Sequence, residues 1–270
     1  MQLPSKKKVK GMQERILAWY KINGRDLPWR KTRDPYTILV AEVMLQQTQV
    51  SRVVPKYAAF LKKFPTFASL ARARKRTLLT LWSGLGYNSR ALRLQQLAQV
   101  VTREYEGKLP RQEVELATLP GMGPYTRRAV QIFAWDRDVV CVDTNIRRIL
   151  LHELGLEHDT PLLQLEQIAE ACLPRGRSRE WHNALMDYGA LVLTSRSTGI
   201  KAKAKSPKPF RTSKRYYRGQ IMKMLLKNKR VTLAELQQWY QHETTHVIAE
   251  IVEELAAEKL LRIRDSVLQI

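Results

Sequence analysis

Apolar residues recur at helical spacing along most of the chain. Met12, Ile16, Leu17, Trp19 and Tyr20 predict a helix over 11–23 that Asn23-Gly24 ends. After the polar loop 24–34, Pro35 sits where a helix can begin, and Ile38-Leu39-Val40-Ala41-Glu42-Val43-Met44-Leu45 is apolar except for Glu42. Further helices are predicted over 51–63, 67–72, 75–83, 88–105 and 112–118, with no period-2 stretch among them. Their turns fall at Phe64-Pro65, Gly84-Leu85-Gly86-Tyr87 and Gly107-Lys108-Leu109-Pro110. The pattern resumes at Ala129, Val130, Ile132 and Phe133, again at Ile146, Ile149 and Leu150, and then over 163–172 and 179–193. Between Ser195 and Lys214 it stops, giving way to Ser, Thr, Gly, Pro and Lys, which marks a basic linker over 196–213. Residues 214–270 then read as a separate unit. It has a helix over 214–226, a second opened by a capping box from Thr232 to Glu235, a third over 245–260, and an alternating hairpin around Asp265-Ser266. The expected class is mainly α, with a C-terminal domain like a winged helix.

Charge changes the picture more than composition does. Lys and Arg number 47 against 25 acidic residues, a formal +22, which makes a polyphosphate the natural partner. No apolar run approaches the roughly 18 residues of a membrane span, so no membrane partner is expected. The opening MQLPSKKKVK is a basic arm over 1–10, expected to be irregular. Two cysteines, Cys141 and Cys172, both in apolar surroundings, offer neither a disulfide framework nor a metal site, and a reducing cytoplasm is expected.

Candidate chemistry concentrates in a few places. Leu119-Pro120-Gly121-Met122-Gly123-Pro124-Tyr125-Thr126 is a tight turn ahead of an apolar helix, with backbone N–H groups open to an anion. It is an ordinary inter-helix turn, a phosphate cradle for a nucleotide, or a helix-hairpin-helix gripping a DNA backbone; the net charge favours DNA. Glu42, inside its apolar run, is either on a narrow solvent face or a buried acid that keeps its proton. Asp143, in Val142-Asp143-Thr144-Asn145, is an N-cap, a role compatible with serving as a fixed anion. Trp29 caps the core or walls a pocket for a flat ligand. The turn at Tyr87, followed by Asn88-Ser89-Arg90, supplies a stacking surface and a cation. His182 reads as structural.

Taken together, residues 12–194 resemble the helix-hairpin-helix DNA glycosylases of the endonuclease III superfamily, most closely the adenine glycosylases acting on A opposite 8-oxoguanine. The matching stretches, in family order, are Arg25 to Arg30, Ala41 to Gln49, Gly84 to Tyr87, Leu119 to Thr126, and Val142 to Asn145. The resemblance implies two helical lobes, 11–30 with 138–195 and a six-helix barrel over 31–137. It implies that Glu42 protonates an extruded base and helps position water, that Asp143 stabilises the sugar cation, and that Tyr125 tunes the acid. Arg25, Trp29, Leu45 and Asn183 would form the base pocket. Gln46, Gln47, Tyr87, Arg90, Leu119, Gly121, Met122, Gly123 and Thr126 would meet DNA, with Gln47 and Tyr87 wedging into the vacated stack. A monovalent cation at the hairpin 119–123 is also admitted. The expected partner is duplex DNA carrying a mismatch or lesion, bound by a monomer at the nucleoid.

Three departures qualify the match. The family's four-cysteine iron–sulfur loop is missing: Leu193 stands at the first ligand position, so a clusterless enzyme is expected. The domain by which the adenine enzymes recognise 8-oxoguanine is replaced by the winged-helix-like unit. Asn183 stands where those enzymes have Gln or Glu, and Asp143-Thr144-Asn145 is intermediate between adenine- and pyrimidine-type motifs. Tyr125 occupies the place of the Schiff-base lysine of bifunctional relatives, and a phenol cannot form that imine, so base excision without strand cleavage is expected. Removal of thymine or uracil opposite guanine is the main alternative. A non-catalytic protein that binds lesions or unusual DNA structures is the alternative from another class.

Overall fold

The computed structural model describes residues 3–200, 213–228, 230–240 and 248–270. In chain order these carry α1 (Lys6–Asn23), a 3-10 turn (Pro28–Arg30), α2 (Pro35–Leu45), α3 (Val50–Lys63), α4 (Phe67–Ala71), α5 (Lys75–Trp82) and α6 (Ser89–Glu104). They continue with α7 (Glu113–Thr118), α8 (Pro124–Trp135), α9 (Thr144–Leu154), α10 (Leu162–Ala171), α11 (Ser178–Leu191) and α12 (Ser195–Thr198). The remainder are α13 (Lys214–Lys227), β1 (Val231–Thr232), α14 (Leu233–Tyr240), α15 (Ile248–Ala257), β2 (Arg262–Arg264) and β3 (Val267–Gln269). The protein is mainly helical, as the spacing predicts. The chain divides into two compact units: residues 1–43 with 109–204, and residues 44–108 with 205–270. This grouping of helices differs from the two lobes that the resemblance implies.

In the first unit, α1 begins earlier than its apolar spacing suggests. Ser5 caps it, accepting from Lys8 N, and Val9, Met12 and Ile16 form the buried stripe. Lys8 Nζ donates to the Leu154 carbonyl at the end of α9. Residues 6–10 are therefore helix and not an irregular arm, because the lysine run flanks an inward Val9 and one lysine caps another helix. Gly24 ends α1 where a Cβ would lie 2.8 Å from the Tyr20 carbonyl. The core of this unit joins Ile16 to Ile146, Ile149 and Leu150 of α9, Leu165 and Ile168 of α10, and Trp181 and Leu185 of α11. The expected linker begins with the short helix α12; residues 201–212 of it lie outside the described residues.

In the second unit, Val53, Tyr57 and Phe60 on α3 are buried, as are Leu70, Leu78, Trp82 and Leu94, with Phe60 edge-on to Phe64 and Trp82. The C-terminal elements run α13, β1, α14, α15, β2, β3, and the strands form one antiparallel sheet in the order β1-β3-β2. Val231 and Ile263 both pair with Leu268, which is fully buried, as are Ile221, Leu225, Leu236 and Ile251. The Thr232–Glu235 capping box is formed, with Glu235 Oε2 accepting from Thr232 N at 2.6 Å and Thr232 Oγ1 from Glu235 N at 3.2 Å. Asp265 and Ser266 both have positive φ, as a tight hairpin turn demands. This is the helix–strand order of a winged helix. Residues 245–247, where the third helix was expected to start, lie outside the described residues. The module is tied to residues 44–108 by Arg76, which donates to the Leu225 and Leu226 carbonyls at 2.8 and 3.0 Å, and by Lys75, which donates to the Lys259 carbonyl.

Candidate active site

α2 is apolar on every side. Asp34 Oδ2 caps it by accepting from Thr37 N, and Ile38 to Ala41, Val43 and Met44 are all buried. Glu42 is therefore carried into the interior, 7% exposed, with no solvent face to occupy. No described residue donates a hydrogen bond to its carboxyl. Burial, and then the nearby charge of Asp143, push its pKa from 4.5 up to about 7, against a smaller opposing pull from Arg30.

Asp143 is held quite differently. It caps α9 with Oδ1 accepting from Asn145 N at 2.9 Å and Ile146 N at 2.7 Å, while Oδ2 accepts from Asn145 Nδ2 at 3.1 Å. Burial raises its pKa too, but these three donors and the Arg148 guanidinium oppose the rise. Of the two carboxyls, Asp143 is the one held by donors, whereas Glu42 has none among the described residues. The two are close enough for the Asp143 charge to act on Glu42.

Tyr125 and Cys141 complete the group. The Tyr125 hydroxyl donates to Cys141 Sγ, and burial next to Glu42 and Asp143 holds both the phenol and the thiol neutral, each well above its ordinary pKa. Cys141 is the member that sequence reasoning missed. Its only signal was its position two residues before Asp143, which its apolar neighbours masked. His182 positions that segment: its Nε2 accepts from Cys141 N at 3.4 Å, and Nδ1 faces the Ser178 carbonyl at 2.8 Å. Burial lowers its pKa to about 4, so it is a neutral structural residue, as expected.

Gly189 sets the distance between α9 and α11. A Cβ there would lie 2.8 Å from Asn145 Cβ and 3.3 Å from Asn145 Cα. Asn145 in turn accepts from Arg148 Nη2, which also donates to the Gly189 carbonyl. A Gly189→Ala variant should push Asn145 off Asp143, costing about 1–3 kcal/mol in urea unfolding and slowing single-turnover chemistry. Wild-type values for both would show that the close approach is dispensable.

The expected base pocket is partly corrected. Arg25 is engaged internally: its backbone N and Nε donate to Asp187 at 2.8 and 2.7 Å. Arg30 completes a fork on the same carboxylate at 2.7 and 2.8 Å. Burial alone would lift Asp187, but these donors more than offset it and keep the carboxyl below the ordinary range. Arg25 is thus a brace, because a fully buried carboxylate needs more than one cation. Trp29 is buried in its 3-10 turn. Asn183 is buried on α11, and its carboxamide bonds to no described residue. Leu45, the last residue of α2, belongs to the second unit.

At the hairpin, Gly121 has φ +76°, a conformation that favours glycine, and Met122 N donates to the Leu119 carbonyl at 3.1 Å. Gly123 caps α8 without a side-chain bond and Pro124 is its first residue. Gly121 and Gly123 are exposed, whereas Leu119, Met122 and Thr126 are buried. Those three side chains anchor the turn, and the surface offered to an anion is backbone.

The loops of the second unit carry the expected wedge residues. Gln47 and Tyr87 are both exposed and both have positive φ, 53° and 45°. Such backbone is costly for non-glycine residues unless the surroundings enforce it. The enforcing group is Arg90. It is buried, and its Nη1 donates to the Met44 and Gln46 carbonyls at 3.2 and 2.6 Å. Its Nη2 reaches the Leu85 and Gly86 carbonyls at 3.1 and 3.0 Å. Arg90, expected to contact DNA, instead ties the two wedge loops together. Gln46 contributes its carbonyl to that tie.

Residues 40–175 match the family model of the HhH-GPD superfamily base excision DNA repair proteins, which is half of the chain. The chain belongs to this superfamily. It is similar to an adenine DNA glycosylase of Mycolicibacterium smegmatis, 42% identical over 185 residues, which cover 67% of this chain and 63% of that one. A thermostable thymine-DNA glycosylase of known structure is 32% identical, with a TM-score of 0.65 over 71% of this chain and 90% of that one. An endonuclease III trapped on DNA shares the fold at 22% identity, with a TM-score of 0.62 over 76% and 91% of the two chains. The first curated relatives are longer: this chain spans 63% and 51% of two of them.

The superfamily resemblance implies an iron–sulfur cluster, and the residues of this chain do not fit one. Four thiolates are needed and the chain has two. Cys172 is packed in the core with Leu165 and Ile168, and Cys141 is bonded to Tyr125. Leu193, at the expected first ligand, is itself a core residue whose carbonyl accepts from Arg148 Nε.

Proposed function

We propose that this HhH-GPD protein is a DNA glycosylase that hydrolyses the bond between adenine and deoxyribose, with adenine opposite 8-oxoguanine or guanine as its substrate. The observation that carries this reading is a buried glutamate, its pKa pushed up to about 7, beside a carboxylate held by three donors. Adenine leaves poorly as an anion and readily once a ring nitrogen is protonated; Glu42 supplies that proton. As the bond breaks, the sugar becomes an oxocarbenium ion, and the Asp143 carboxylate stabilises that charge without reorganising. Glu42, now ionised, takes a proton from the water that adds to the sugar. Tyr125 stays neutral and keeps the pair dry. The target base must leave the duplex to reach this site, with the hairpin amides of Gly121 and Gly123 holding a backbone phosphate. The similarity to adenine glycosylases supports the choice of base, and no step calls on iron.

A second reading, removal of thymine opposite guanine, is favoured by the 32% identity to the thymine-DNA glycosylase. The two separate in a single-turnover panel of A·8-oxoG, A·G, T·G, U·G and hypoxanthine duplexes, run with a metal chelator present. We expect release of adenine, alkali-dependent strand cleavage and no borohydride-trapped adduct. Product from the pyrimidine duplexes alone would replace adenine with thymine or uracil. Tight binding of every duplex with no product would leave a lesion-binding protein.

A further inference from the structure

The C-terminal module places one cation on the wedge turn. Arg215, in the first turn of α13, lies with its guanidinium carbon 4.6 Å from the centre of the Tyr87 ring. Its Nη2 is also the nearest atom, at 4.0 Å, to a Cβ built on Gly86. Tyr87 is 43% exposed, so this guanidinium covers a ring that would otherwise face solvent. The neighbours of Arg215 on α13 are used differently. Lys214 pairs with Glu250 and Glu254, and Arg218 with Glu254 and Glu258, all on α15. Arg215 has no carboxylate partner among the described residues. A second guanidinium, that of Arg90, lies 5.6 Å from the same ring centre. Two cations share one aromatic ring, and the exposed one has no counter-ion among the described residues.

A guanidinium stacked on an aromatic face keeps its in-plane N–H groups available, in a fork that matches two phosphate oxygens. We infer that Arg215 is a positioning residue for DNA: it holds the Tyr87 ring at the angle of insertion and grips the backbone phosphate beside the gap the ring enters. The winged-helix-like module thereby takes part in lesion engagement through α13. The inference rests on the glycosylase reading for the event it assists, and on geometry alone for the phosphate contact.

The test uses the full chain and a fluorescein-labelled 25-mer duplex of about that length carrying A·8-oxoG, with dissociation constants measured from about 50 to 200 mM salt. Arg215→Ala should weaken binding about 5- to 30-fold and lower the salt slope by about one phosphate contact. Arg215→Lys should restore the slope but only part of the affinity. Arg215→Ala combined with Tyr87→Ala should cost little more than the larger single change. Lys227→Ala, exposed and about 18 Å further along α13, serves as the control and should leave the affinity near wild type. An unchanged slope for Arg215→Ala, or losses that simply add to those of Tyr87→Ala, would overturn the inference. If wild type released no base from any duplex, the glycosylase reading would fall, while slope and coupling would still judge the phosphate contact.

Discussion

Glu42→Gln should bind A·8-oxoG duplex as wild type does and release adenine at least about 10²–10⁴-fold more slowly, the range for loss of a general acid. Gln fills the same space in α2 but has no proton to give. For wild type, the rate should fall as pH rises through about 7, where Glu42 ionises. That limb belongs to the coupled pair with Asp143. The same substitution has a second, opposite effect on folding. Because the native value is raised, the folded protein keeps a proton that the unfolded chain has released. Wild-type stability therefore declines as pH climbs from 4.5 to about 7 and then levels off. Glu42→Gln lacks this decline and should be the more stable protein above pH 7, by on the order of 3 kcal/mol. The two should converge below 4.5. Denaturant melts at pH 4 and pH 8 check the sign, and an inactive variant that is also less stable at pH 8 would contradict a buried, protonated Glu42.

Asp143→Asn should cost about 10²–10³-fold in the same assay while leaving the fold close to wild type. Asparagine is as good an N-cap as aspartate, and its Oδ1 can still accept from Asn145 N and Ile146 N. What it loses is charge, together with the bond from Asn145 Nδ2, which would then face another donor. Removing that charge also removes one of the two causes that raise the Glu42 pKa, so the alkaline limb of the residual activity should move to lower pH. A variant with full activity would mean that the sugar cation is stabilised by some other group.

The parts legible in the sequence were those that depend on residue type and local spacing. Glu42 stood out as the one ionisable residue among seven apolar neighbours, but its spacing left open whether it faced solvent or the interior, which the packing of α2 decides. Asp143 declared itself as a cap, and Gly121 with Gly123 as a backbone turn. The capping box and hairpin of the C-terminal module were likewise local. Long basic side chains were not legible, because their destinations are set by groups distant in the chain. Arg90 turns inward to carbonyls up to 46 residues away, Arg25 closes on Asp187 162 residues away, and Lys8 reaches the end of α9, 146 residues on. Composition counts such residues as surface charge; the fold spends several of them as braces. Arg215 shows the converse, a cation on the Tyr87 ring with no carboxylate among the described residues, while its neighbours Lys214 and Arg218 pair with glutamates of α15.

The closure of α11 by Leu193 bears on endurance under oxidative conditions. Peroxide and nitric oxide attack exposed iron and sulfide, and 8-oxoguanine accumulates under just such attack. For the iron-free glycosylase we propose, hydrocarbon packed at the end of that helix removes this point of failure.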